Sequence, residues 1–166
     1  RSHRISLWLI ASCLSVALAS PVLAHIPLPP KKGEIGRRES STQAPSFTLT
    51  NQNGARFSFD PAGGKIVLVT FVYTTCPDVC PLFTAKFASI QRALDQDKRE
   101  DYLLLTISTD PARDTPEKMK AYAEAFKVDF RRWHFLTGSP KELAEVWKGF
   151  GVNVRELNNG QVQHTN

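Results

Sequence analysis

Cysteine is scarce in this chain. Its 166 residues hold three, too few to staple a small disulfide scaffold, so the fold must rest on a packed core. Contiguous charge is also missing. Lys and Arg number 21 against 16 Asp and Glu, a formal +5, yet the positive residues stand in ones and twos. That pattern offers no basic block for a nucleic acid, and none is expected as a partner. No apolar run reaches the about 20 residues that a comfortable membrane-spanning helix requires, and no internal repeat is present. What remains is an ordinary soluble composition, 42% hydrophobic and 22% charged, at a length that suits a single domain of about 100–200 residues.

The first segment reads as separate from that domain. Arg1 and Arg4 precede an apolar stretch from Ile5 to Ala19, which is followed by the small-residue ending Val22-Leu23-Ala24. This is the order of a secretory signal peptide over residues 1–24, with an uncleaved membrane anchor as the alternative. Cys13 lies inside the apolar stretch and goes with it. Export implies the periplasm or the outer face of the inner membrane, an oxidising compartment in which two cysteines can pair. Residues 25–44 are rich in Pro, Lys, Arg, Glu and Ser and read as a flexible tether. Residues 45–166 are the domain.

Within the domain, Ser46 to Thr50 and Ala55 to Phe59 alternate apolar and polar residues around Asn51-Gln52-Asn53-Gly54, the pattern of a β-hairpin. Ile66 to Tyr73 (IVLVTFVY) is a nearly continuous β-branched and aromatic run, expected as the central strand with both faces covered. Phe83, Phe87, Ile90 and Leu94 fall at helical spacing. Tyr102 to Ser108 predicts a second buried strand. Thr115-Pro116 opens a helix with Met119, Tyr122, Ala123 and Phe126 on one stripe, and Trp133 to Thr137 predicts a third strand. Ser139-Pro140-Lys141-Glu142 reads as a capping box for a helix that closes near Gly149 and Gly151. Strands alternating with helices imply an α/β fold with parallel pairing, whose functional edge lies at the carboxyl ends of the strands.

The segment Thr74-Thr75-Cys76-Pro77-Asp78-Val79-Cys80-Pro81 lies at such an end. Pro81 cannot sit in a helix interior, which predicts that the regular helix starts near it and that Cys80 occupies the cap. Thiols at a helix N-terminus feel the positive end of its dipole, which favours thiolate, metal binding and disulfide exchange. Two thiolates select Cu(I), Zn or an iron–sulfur cluster, and an added imidazole widens the choice to Cu(II). A structural disulfide is the bland alternative, although so small a loop constrains little of the unfolded chain. Outside the first segment the histidines are His25 in the tether, His134 inside an apolar strand, and His164. The last lies in a polar stretch after Gly160, where a loop could carry it to the cysteine turn. Read alone, it is a solvated residue near the end of the chain.

The run from Lys65 to Pro81 (KIVLVTFVYTTCPDVCP) is followed by Ile107-Ser108-Thr109-Asp110-Pro111, Arg113-Asp114-Thr115-Pro116, Leu136-Thr137-Gly138-Ser139-Pro140 and His164-Thr165. Together these strongly resemble the Sco/SenC family over about Ser46 to Asn166. The resemblance implies a thioredoxin-like, peroxiredoxin-related three-layer fold. It implies copper, as Cu(I) or Cu(II), with Cys76, Cys80 and His164 as ligands. The implied role is delivery of copper to the CuA centre of cytochrome c oxidase, or reduction of its thiols. Implied partners are the oxidase subunit that carries CuA, and other copper chaperones or thiol reductants. Asp78 and the Asp110 to Pro116 segment would lie near the site, the latter serving equally well as a helix-capping loop; Tyr73 is expected in the core. In the family the ligand histidine precedes further strands and a closing helix, so the domain is expected to be incomplete at its C-terminal end.

A dithiol–disulfide oxidoreductase, with Cys76 and Cys80 as the redox pair, needs the cysteines and no histidine. It is the enzyme alternative to a copper carrier. A peroxiredoxin-like peroxidase ranks third, because it would use a lone activated thiol. A purely structural role ranks last, since it explains neither the position of the cysteines nor the prolines.

Overall fold

The computed structural model describes residues 40–156 and 162–164. Cys13, His25 and the segments expected as signal and tether up to residue 39 lie outside them. Strands β1 (Phe47–Asn51) and β2 (Arg56–Phe59) form the expected hairpin. The Asn51 side chain accepts hydrogen bonds from the backbone N–H groups of Asn53 and Ala55 at 2.9 and 3.1 Å, and Gly54 takes φ +75°. A side chain at that φ would be strained, which is why the turn wants glycine.

After the hairpin come β3 (Ile66–Val72), α1 (Val79–Gln96), β4 (Tyr102–Ser108), α2 (Pro116–Ala125), β5 (Trp133–Thr137) and α3 (Pro140–Phe150). The main sheet runs β2-β1-β5-β4-β3, with β3, β4 and β5 parallel. One expectation is corrected here. Among the described strands β3 is an edge, and β4 and β5 hold the middle. An unbroken apolar run reports coverage of a strand's two faces, and it says nothing about lateral neighbours. Even that coverage is partial: Ile66 is 57% exposed, whereas Val72 at the other end is fully buried.

Alternation along the strands divides the core in two. Phe71, Leu105, Ile107 and Leu136 pack with Leu143 and Val146 of α3. Tyr102, Leu104, Trp133 and Phe135 pack with Ala88 of α1 and with Met119 and Ala123 of α2. The result is a three-layer α/β fold, as expected. Both later helices are capped as their sequences predict. Thr115 accepts from the Lys118 N–H, while Ser139 and Glu142 form a reciprocal capping box. Gly151 closes α3 in the left-handed conformation.

Two short strands, β6 (Val154–Glu156) and β7 (Val162–His164), pair antiparallel as a separate ribbon. His164, expected on a loop, therefore belongs to a strand opposite Val154. Val162 anchors that strand by burying itself among Val72, Tyr73, Cys76 and Cys80.

Two outcomes follow from the core. Leu105 is fully buried and Leu82 is 69% exposed, so Leu105→Ala should cost about 2–5 kcal/mol of stability and Leu82→Ala about 0.5 kcal/mol or less in urea unfolding. His134 sits against the Phe57 ring, and burial holds its pKa below the ordinary 6.5. The unfolded chain therefore binds a proton at this position that the folded chain resists, so stability falls as pH drops below about 6.5. A His134→Leu variant should show a shallower loss when urea midpoints are measured between pH 7 and pH 5.

Candidate functional site

Val72 ends β3, and the chain then turns through Tyr73 to Asp78 before α1 begins at Val79. The helix starts two residues earlier than Pro81 led us to expect. Pro81 is its third residue, where a backbone N–H has no partner inside the helix and where the carbonyl four residues back lies outside it, so the ring meets no obstacle. Cys80 is consequently inside the first turn rather than at the cap.

Asp78 occupies the N-cap position, yet its side chain makes no capping bond. The sulfur of Cys76 accepts in its place, taking the backbone N–H groups of Asp78 and Cys80. A thiolate is well suited to that position, because it meets unpaired donors at the positive end of the helix dipole. Two side chains add to the cradle. The Cys80 thiol and the Tyr73 hydroxyl both donate to Cys76.

The electrostatics separate the two cysteines. Burial works to raise the Cys76 pKa, but the bonds from the Cys80 thiol, the two N–H groups and Tyr73 outweigh it and hold the thiol below its ordinary value. Cys80 is pushed up to about 12, by burial first and then by its bond to Cys76. Tyr73 is likewise raised to about 12 by burial and by donation to Cys76. Both cysteines are free and buried, at 8% and 1% exposure.

The turn is held from below by a carboxylate. Asp114, 1% exposed, accepts from the Thr74 N–H at 3.0 Å, the Thr74 hydroxyl at 2.6 Å and the Ser108 hydroxyl at 2.6 Å. Burial raises its pKa, and these hydrogen bonds oppose the rise. Thr109 N–H donates to the Val72 carbonyl at 2.8 Å, so the ends of β3 and β4 are stitched together beside it. Asp110 pairs with Arg113 in the same segment. The stretch from Asp110 to Pro116 is thus both things the sequence allowed: it supports the cysteine turn through Asp114 and caps α2 through Thr115. On the other flank, the Thr84 hydroxyl donates to the Cys80 carbonyl at 3.0 Å and shares a 2.8 Å hydrogen bond with Tyr122.

Of the three residues singled out for metal binding, the structure brings Cys76 and Cys80 together. His164 meets the ring of Tyr73 edge-on, with centroids 6.2 Å apart. Among the described residues no three His, Cys, Asp or Glu side chains converge as a metal-ligating group. His134 stands elsewhere, against Phe57. Tyr73 is buried as expected, but it also touches both the cysteine and the histidine, a role that the strand pattern hid. The grip of Asp114 was not foreseen either. Its signals were its place in the motif Arg113-Asp114-Thr115-Pro116 and the expectation that the Asp110 to Pro116 segment lies near the site.

Comparison with known proteins gives a consistent answer. A model of the SCO1/SenC family matches residues 36–166. The SCO1 protein homolog of Bacillus subtilis is 34% identical over 112 residues, covering 66% of this chain and 58% of that relative's length. Among solved structures, copper-bound ScoI of Bradyrhizobium japonicum is 34% identical with a TM-score of 0.65, covering 74% of this chain and 78% of the other. A structure of BsSco is 30% identical with a TM-score of 0.57 and covers 64% of this chain and 60% of the other. That protein is described as carrying a disulfide switch and as a member of the Sco family of cytochrome c oxidase assembly proteins.

The asymmetry of the thiols predicts ordered chemistry. With the protein fully reduced at pH 8, iodoacetamide should label Cys76 first and leave Cys80 protected, as read by peptide mass spectrometry. Cys80→Ala removes the thiol donor and should raise the pH at which Cys76 reacts. Equal labelling of both cysteines would contradict the cradle.

Proposed function

The chain belongs to the SCO1/SenC family, and from that premise we propose that it carries copper for assembly of the CuA centre of cytochrome c oxidase, binding one ion through Cys76, Cys80 and His164. The observation that carries this reading is the pair of adjoining sulfurs at the N-terminus of α1, one of them favoured as thiolate. Such donors suit a soft ion, Cu(I), and an imidazole extends the set to Cu(II). The copper-bound Bradyrhizobium relative supports the choice of metal, and the oxidase-assembly description of BsSco supports the destination.

In this reading His164 joins from the β6–β7 ribbon. Tyr73, which bonds Cys76 and meets His164, yields its place on the sulfur when copper arrives. Copper bound there is cargo: it enters from an upstream copper protein and leaves to the oxidase subunit that holds CuA. No described helix is long and apolar enough to cross a membrane. Residues 1–24, as a signal peptide or anchor, would place the domain in the periplasm or on the outer face of the inner membrane.

A second reading is favoured by the same thiol asymmetry. As a dithiol–disulfide oxidoreductase, Cys76 thiolate attacks a partner disulfide and releases one partner thiolate. Cys80 then attacks the mixed disulfide and releases the other. The partner gains two electrons, and the chain is left with a Cys76–Cys80 disulfide.

Titration with Cu(II) should give a thiolate-to-copper charge-transfer band at one equivalent, abolished in Cys76→Ser and Cys80→Ser and weakened at least tenfold in apparent affinity in His164→Ala. A one-to-one complex indifferent to all three substitutions would remove the carrier reading. Retained disulfide reduction in His164→Ala, alongside lost copper affinity, would favour the oxidoreductase.

A further inference from the structure

Four large apolar side chains stand exposed among the described residues, and three of them share one place. Val79, Leu82 and Phe83 are 44%, 69% and 44% exposed, and their i, i+3, i+4 spacing puts them on one face of the first two turns of α1. Cys80 lies on the same turns, buried, and Cys76 immediately precedes them. The exposed turn residues Thr75 and Pro77 continue the surface toward Cys76. A soluble surface scatters single apolar residues freely, but a cluster beside a reactive group marks a contact.

Charge frames this patch. Asp78, exposed at the N-terminal end, makes no side-chain capping bond and no ion pair among the described residues, and Lys86 is exposed at the other end. The two lie outside all five ion pairs found among the described residues. An apolar centre with a carboxylate at one end and an ammonium at the other fits a partner with the opposite arrangement and fixes the orientation in which it lands.

Size decides what kind of partner. A stable complex buries about 800 Å² on each side through some 20–30 residues. This patch offers about five residues, too few to hold a second copy of the chain but suited to a brief handover. We propose that the apolar face formed by Val79, Leu82 and Phe83, flanked by Asp78 and Lys86, is the docking surface for the protein that receives copper from Cys76 and Cys80. The partner's matching face is apolar around its own thiols, with a cation opposite Asp78 and a carboxylate opposite Lys86. This inference rests on the carrier reading above, because a partner that takes copper from the sulfurs needs to land here.

The test uses the full chain and, as probe, a soluble oxidase domain bearing an empty CuA site. Copper transfer to that domain is timed for the wild type, for Leu82→Ser/Phe83→Ser and for Lys86→Glu, with a small copper chelator as the control acceptor. Contacts are mapped separately by amide NMR on metal-free Cys76→Ser protein titrated with the same domain. The double variant should slow transfer to the domain at least tenfold and Lys86→Glu at least threefold, both leaving transfer to the chelator unchanged, with NMR shifts centred on residues 78–86. Unchanged transfer to the domain, or shifts centred elsewhere, overturns the docking surface even if copper moves. Shifts on residues 78–86 with no copper transfer from any variant uphold the surface and sink the carrier reading. A wild-type dimer in solution that Leu82→Ser/Phe83→Ser dissociates, with transfer unchanged, overturns the proposal in favour of self-association.

Discussion

The site depends on who satisfies the first N–H groups of α1. In most helices a side-chain oxygen at the cap does so. Here the Asp78 side chain makes no such bond, and the sulfur of Cys76 takes the N–H groups of Asp78 and Cys80. One arrangement therefore does two things. It serves the Cys80 N–H in the first turn of the helix, and it makes the sulfur more acidic than an ordinary thiol. The chemistry is a by-product of helix termination, which ties reactivity to correct folding of the turn.

That turn in turn depends on a buried charge. A lone carboxylate in the interior is costly unless hydrogen bonds compensate it. Asp114 is compensated by three, two from Thr74 and one from Ser108. Its backbone carbonyl accepts from the Thr137 hydroxyl, and the Ser108 carbonyl accepts from the indole of Trp147 in α3. The carboxyl ends of β3, β4 and β5 and the helix behind the sheet thus converge on the base of the cysteine loop. The sulfurs sit in a prepared place, and the Tyr73 hydroxyl occupies the donor position beside Cys76. The exposed apolar face of α1 extends outward from the same turn, so the element that activates the thiol also presents it to a visitor.

Much of this was legible in the sequence. The hairpin around Gly54, the caps at Thr115 and Ser139, and the three parallel strands follow from local patterns that tertiary contacts leave intact. The cysteine pair was legible because the spacing and prolines of Cys76 to Pro81 are unusual and their position after a buried strand is informative. Lateral strand order was not legible: IVLVTFVY reads the same at an edge as at the centre. Pro81 misplaced the helix start because a proline in the first turn and a proline at the boundary look alike in sequence. The grip of Asp114 on Thr74 spans forty residues, and no local rule connects them. His164 was singled out as a copper ligand by family resemblance, and its physical setting, a strand anchored by Val162 and facing Tyr73, emerged only from the fold.

X-ray absorption at the copper edge of the metal-loaded full chain tests the central claim most directly. The account predicts two sulfur neighbours and one imidazole nitrogen around a single copper, with the nitrogen lost in His164→Ala and the sulfurs retained. Copper surrounded only by oxygen and nitrogen in the wild type would contradict it.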